Sequence, residues 1–108
     1  MGLGYAWEKL HVAVLSLVGP GDLASRLEWA FVGSLIRIQP ENDLPPDLQR
    51  TYAEIKEALT SAVPQSDEGS VHASILAMDE STMVRLSEKI VSLYDAVVRI
   101  HSLEREGM

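Results

Sequence analysis

Apolar residues recur every three or four positions along most of this chain, in segments separated by short clusters of turn-forming residues. This spacing matches the 3.6-residue turn of an α-helix, and the chain does not show the period-two alternation typical of half-buried strands. The turn clusters lie at 19–22, 39–46 and 64–69, and each contains glycine or proline. The pattern predicts an all-α fold in which four long helices and one short helix form a compact bundle, one domain over residues 1–108.

The turn clusters and helix-capping residues set the boundaries of five predicted helices. Asp22 and Asp79 are predicted N-caps, because a carboxylate can accept the free N–H groups of a first helical turn. Met78 and Met83 flank Asp79 at the positions of a hydrophobic staple, so we expect a break there. The predicted helices span residues 3–18, 23–38, 46–62, 70–78 and 80–104.

Two of these helices carry more apolar surface than a single contact face requires. The second has one face that includes Leu27 and Phe31, and a further stripe on its far side. The fifth and longest adds a row of valines, spaced every seven residues, to its main face. A helix that is apolar on two sides is expected to be buried on both. We therefore expect helices two and five to be the central pair of the bundle.

The surplus apolar residues of the first two helices are the candidate partner-binding site. A soluble monomer rarely exposes a contiguous apolar patch of more than a few hundred Å². Either the bundle itself covers these side chains or they meet another chain, and the sequence favours neither alternative. In the second case the partner is a second copy, forming a homodimer, or another helical protein. The candidate residues are Trp29, Val32 and Ile36 of helix two with Val12 and Leu15 of helix one.

Composition excludes several kinds of chemistry. The 108 residues include no cysteine, which rules out disulfides and thiolate catalysis, and the net charge is −7. Nine scattered Lys and Arg residues do not form the basic stripe that a phosphate backbone requires, so no nucleic-acid partner is expected. The apolar run at 12–18 is far shorter than the roughly 20 residues of a bilayer span. We expect a soluble, cytoplasmic protein that has no contact with membranes.

One pair of motifs raises the alternative of a metal site. Glu8 and His11 have the Glu-x-x-His spacing of carboxylate-bridged di-metal bundles, where two such motifs converge with two further glutamates. Here the motif occurs once, His101 with Glu104 reverses its order, and Glu28 and Glu54 would have to supply the remaining ligands. No serine lies in a nucleophile-elbow pattern and no phosphate loop is present. The sequence therefore predicts no metal, no cofactor and no catalytic residue.

The functional interpretation rests on this lack of catalytic motifs together with the surplus apolar surface. It is a non-enzymatic protein-interaction or regulatory domain that self-associates. One alternative is a helical-bundle enzyme that binds a metal or a small molecule in its core. A second alternative is a DNA-binding regulator, because helices three and four have the order of a helix-turn-helix, although the link between them is long for that motif.

Overall fold

The computed structural model describes residues 2–64 and 69–106, with side-chain surroundings described as far as residue 104. These residues form helices and contain no strand, which confirms the all-α prediction. A 3-10 turn at Leu35–Arg37 connects the second and third helices. The helices of this part of the chain are α1 (Leu3–Leu17), α2 (Leu23–Gly33), α3 (Pro40–Asp43), α4 (Pro46–Thr60), α5 (Ser70–Leu76) and α6 (Glu80–Glu106).

Aspartate caps begin two of these helices where the sequence predicted them. The backbone N–H of Ser25 donates to Asp22 Oδ1 at 2.8 Å, and that of Thr82 donates to Asp79 Oδ1 at 2.8 Å. Hydrogen bonds from these residues hold the pKa of both carboxyl groups below its ordinary value. The cap at Asp79 confirms the predicted break, because α5 ends at Leu76 and α6 starts one residue after the cap.

The second helix ends five residues earlier than predicted. Ser34 leaves the helical conformation (φ −147°, ψ −63°), and its hydroxyl donates to the carbonyl of Lys9 on α1. The chain continues as the 3-10 turn, while the Arg37 guanidinium donates to the carbonyl of Gly33 at 2.7 Å and satisfies the helix end. A contact to another helix therefore ends α2, and the apolar spacing at 23–38 gives no sign of it.

The cluster at 39–46 was expected to be a turn and instead contains the short helix α3. Pro40 occupies its first turn, where a missing N–H has no cost. The Asp43 carboxylate closes the turn by accepting the N–H of Gln39 at 2.8 Å, and it also accepts the N–H of Gly2 at 3.1 Å. Asp43 is only 3% exposed, so this carboxylate ties α3 to the start of α1 inside the protein.

The centre of the bundle differs from the expectation. The helix pair α1–α6 has the most extensive contact, and α2 packs on another side of α1. The cause lies in Ala6 and Ala13, which are completely buried together with Leu10 on the inward face of α1. Alanine allows neighbouring helices to approach closely, and this places α1 between α2 and α6. The expectation that helices two and five form the central pair is thus corrected in favour of α1.

The helix α4 lies at the periphery, as its single apolar stripe indicates. It buries Tyr52, Ile55 and Leu59, and its other faces are largely polar. The hydroxyl of Tyr52 donates to the carbonyl of Leu35 at 2.7 Å, which fastens the 3-10 turn to α4. Burial, helped by the negative charge of Asp43, raises the pKa of Tyr52 to about 12.

Candidate interaction surface

Four of the five candidate partner-binding residues lie on the outer sides of α1 and α2. Ile36, expected in the second helix, lies instead in the 3-10 turn that follows α2, because α2 ends at Gly33. Each of the five keeps about half of its surface exposed, so within a single chain the bundle does not cover them. We call this set the hairpin face. The exposed fractions are Leu15 54%, Trp29 53%, Val32 46%, Ile36 45% and Val12 43%.

Two hydrogen bonds between α1 and α2 hold the framework of the hairpin face. At one end the Ser34 hydroxyl donates to the carbonyl of Lys9. At the other end the Arg26 guanidinium donates to the carbonyl of Leu17 at 2.6 Å, capping the last turn of α1. A cation at a helix C-terminus is favourable because it meets unpaired carbonyls and the negative end of the helix dipole.

These hydrogen bonds also fix the register of the two helices. In two antiparallel helices, residues at the same height have numbers that add to a constant value, and both bonded pairs have the same sum. By that sum Val12 lies beside Phe31, and Leu15 lies beside Glu28. The exposed apolar residues of α1 therefore lie at the same levels as the exposed stripe of α2. The hairpin face combines apolar residues of two adjacent helices over the same two turns.

One side of the Trp29 ring packs against the protein, and the other side is exposed to solvent. The α2 helix follows a turn in which Gly21 adopts φ +97°, a conformation that L side chains rarely take. The indole of Trp29 lies over this glycine, so that an added Cβ would come within 3.2 Å of the ring. A bulkier residue at position 21 would strain the turn and displace the ring. The turn thus supports one side of the Trp29 ring, while about half of the side chain stays available to a partner.

The net charge is unevenly divided along the sequence. Residues 39–108 carry the whole net charge of −7, because residues 1–38 are neutral in total. An apolar surface within a neutral region can meet a like surface with little electrostatic repulsion. The charged residues of the neutral region are Glu8, Asp22 and Glu28 with Lys9, Arg26 and Arg37.

An open groove of about 690 Å³ lies where the end of α1 and the start of α2 meet α6. Its size is within the range of small-molecule sites, and its walls are mainly apolar. Val84 and Val91, expected from their spacing to help place the last helix centrally, are 40% and 46% exposed and line this groove. Arg26 and Glu88 supply charges of opposite sign at its wall. Two valines of the seven-residue row thus form a groove wall rather than a contact at the centre of the bundle.

The two histidines of the alternative metal site meet through an indole. Trp7 stacks with His11 at 5.3 Å between ring centroids and with His101 at 6.2 Å. His11 Nδ1 lies 3.1 Å from the hydroxyl of Tyr94, within hydrogen-bond distance. This cluster joins α1 to α6 and gives both imidazoles a packing role.

The carboxylates of that alternative are not gathered around the histidines. Glu8 is exposed, Glu28 pairs with His72 at 2.9 Å, and Glu54 lies 3.4 Å from Lys89. Over residues 2–64 and 69–104, no three His, Cys, Asp or Glu side chains are close enough to hold a metal ion. The spacing motif Glu8-x-x-His11 therefore does not extend into a ligand set in this part of the chain.

None of the described helices combines the length and apolar character needed to cross a membrane. Comparisons of the chain with protein families, with curated proteins and with solved structures give no match. A function can therefore be inferred only from the surface of the protein. The hairpin face is the part of that surface that the sequence predicts to bind a partner.

Proposed function

We propose that this chain is a non-enzymatic helical interaction domain that forms a homodimer through the hairpin face, and that it serves as a small regulator or adaptor. The observation that carries the proposal is the exposure of five large apolar side chains on one neutral hairpin of an otherwise acidic protein. An apolar patch of a few hundred Å² is often the functional surface of a small protein.

The exposed area is of the size that an interface needs. Half of a Trp side chain offers about 100 Å², and half of each aliphatic side chain adds roughly 45 Å². The five side chains together offer about 300 Å². A standard interface buries about 800 Å² per partner, of which roughly 450–500 Å² is apolar. The hairpin face would supply most of that apolar part, and the side-chain stems around it would supply the rest.

The distribution of charge supports a second copy as the partner. In a two-fold dimer each surface meets its own copy, so the net charge of that surface decides how strongly the chains repel each other. Residues 1–38, which contain the hairpin face, have no net charge, so two such faces can meet with little repulsion of their own. A basic partner, by contrast, would be drawn to the acidic part of the molecule rather than to this face.

The test is the mass of the protein in solution, measured by sedimentation between 1 and about 200 µM. We expect a monomer–dimer equilibrium that Trp29→Glu shifts toward the monomer. If a dimer covers the exposed half of Trp29, about 2.5 kcal/mol of apolar burial is lost per copy. Both copies are affected, so the dissociation constant should rise on the order of a thousandfold.

Two further variants make the result interpretable. Ile36→Glu should act like Trp29→Glu, because it also places a charge on the hairpin face. Leu76→Glu removes an exposed apolar side chain and adds the same charge on α5, outside the face, and should leave the dimer intact. Circular dichroism should show unchanged helix content for all three. A wild-type monomer at 200 µM would contradict the proposal, as would equal effects of the α2 and α5 variants.

A further inference from the structure

Gly33 is a glycine that nothing within a single chain requires. It is the last residue of α2 and it is exposed. A Cβ built on it would lie in open space, with nothing outside its own helix backbone and chain neighbours within 4 Å. In a helix, glycine is less favourable than alanine, because it loses more backbone entropy on folding. Alanine would therefore suit the isolated chain better at this position.

The usual reason for a glycine at a helix end is also missing. Such glycines typically adopt the left-handed conformation, with positive φ, just after the last helical residue. Among the described residues positive φ occurs only at Gly2 and Gly21, so Gly33 has an ordinary backbone conformation. The residue that leaves the helix is Ser34, and its hydroxyl bond to α1 already ends α2.

Gly33 lies at the C-terminal end of the exposed stripe of α2, just before the 3-10 turn that carries Ile36. It follows Trp29 by four residues, so the two are neighbours on the helix surface. The indole lies over Gly21, at the opposite end of α2, and does not cover Gly33. Val32 precedes Gly33 and Ile36 follows it, each about half exposed. Because Gly33 has no side chain, its backbone is left uncovered between apolar side chains. We call this gap the notch.

We infer that Gly33 is the point at which the α2 helices of two copies cross, its missing side chain letting the backbones approach closely. This inference rests on the proposed homodimer and adds the location of its closest contact. Small residues at helix–helix contacts permit such an approach, below the 8–10 Å axis separation of ordinary helix pairs. The apolar residues around the notch would then pack against the partner helix on both sides of the crossing.

The inference predicts that substitutions at position 33 have opposite effects on folding and on association. In Gly33→Ala the resistance of the monomer to urea should rise or stay the same, while the dimer weakens by at least about tenfold. Gly33→Leu should weaken the dimer further, since its larger side chain would keep the backbones apart. Sedimentation gives the dissociation constant, and urea unfolding in the Trp29→Glu background gives the stability of the monomer.

Ala53→Leu is the matched control, because it adds similar bulk to an exposed helical position on α4, away from the hairpin face. It should leave the dimer unchanged. If the wild type is monomeric throughout, the proposed function fails and the inference fails with it. If Trp29→Glu disrupts a dimer that both Gly33 variants preserve, the location at Gly33 alone is refuted. Unfolding of the monomer by Gly33→Ala would also refute it, because the glycine would then have an intramolecular role.

Discussion

Replacement of Asp43 by asparagine should destabilise the protein in a pH-dependent way. Asp43 is a buried carboxylate, and burial alone would raise its pKa. The N–H groups of Gln39 and Gly2 more than offset burial, so the pKa of Asp43 lies below its ordinary 3.8. The ionised form is therefore favoured by folding. Its stabilisation is fully present above about pH 5 and is lost as the pH falls through 3.8 toward the lowered value.

The size of the effect follows from the two hydrogen bonds. Asparagine keeps one acceptor oxygen and turns its NH₂ group toward the other N–H, leaving a buried donor without a partner. A hydrogen bond to a charged group contributes about 1.5–3 kcal/mol, so Asp43→Asn should lower the free energy of unfolding by about 2 kcal/mol at pH 7. For a domain of this length the melting temperature would fall by roughly 8 °C.

Thermal and urea unfolding, followed by circular dichroism from pH 7 to pH 2.5, measures both aspects of this prediction. The difference between wild type and Asp43→Asn should be greatest at pH 7 and should narrow below about pH 4. The capping carboxylates Asp22 and Asp79 are present in both proteins, so their titration cancels in the difference. Asp47→Asn, at an exposed position in the first turn of α4, is the control and should have little effect. A stability difference that stays constant with pH would refute the role assigned to the Asp43 carboxylate.

Two further predictions concern the hydrogen bonds at the start of α2 and at the 3-10 turn that follows it. Tyr52→Phe should lower the free energy of unfolding by about 1 kcal/mol in urea, since the Leu35 carbonyl keeps its bond from Ile38. Because burial raises the pKa of Tyr52 to about 12, the wild type should also lose stability between pH 10 and pH 12, and Tyr52→Phe should lack that loss. Asp22→Ala should lower the melting temperature by removing the N-cap of α2, whereas Asp22→Asn should keep most of it.

The features that sequence predicted well are those that depend on neighbouring residues. Asp22 and Asp79 cap their helices through N–H groups three residues away, a relation that the sequence contains directly. The single stripe of α4 likewise placed that helix at the periphery, since Tyr52 and Ile55 lie inward one turn apart. Local geometry of this kind needs no knowledge of the rest of the fold.

The features that it missed depend on partners far along the chain. The end of α2 is set by the bond between Ser34 and Lys9, and α3 is held by Asp43, which reaches both Gln39 and Gly2. No periodic pattern contains such pairings. A short turn of four residues is also too brief to show a period, so an aspartate among prolines and an asparagine gave only the signal of a loop.

The prediction of helices two and five as the central pair is wrong because buried alanines, and not only large apolar residues, mark the centre of the bundle. The stripe with the largest side chains on the first helix includes Trp7 and Val14, which are only partly buried, whereas Ala6 and Ala13 are fully buried. A stripe of bulky apolar residues therefore includes the buried Leu10 but misses the alanines beside it, which are the small residues of this contact. In the same way, the two apolar sides of α2 were interpreted as burial within the bundle, when closer packing around α1 leaves the second side open.

The exposed apolar side of α2 can reflect association with a second copy or incomplete coverage in a small domain. Its position in the molecule favours association. If exposed apolar residues only reflected incomplete coverage in a small domain, the charge that keeps the protein dispersed would be expected around them as much as elsewhere. Here the surplus acidic charge lies entirely in residues 39–108, and the hairpin that exposes Trp29, Val32 and Ile36 is neutral. At the C-terminal end of α2 is Gly33, whose missing side chain makes the isolated helix less favourable than alanine would and exposes backbone. These three features have separate physical origins: exposed apolar side chains, a neutral local charge and a glycine that is unfavourable in a helix. The proposed second copy, packed on α2, accounts for all three.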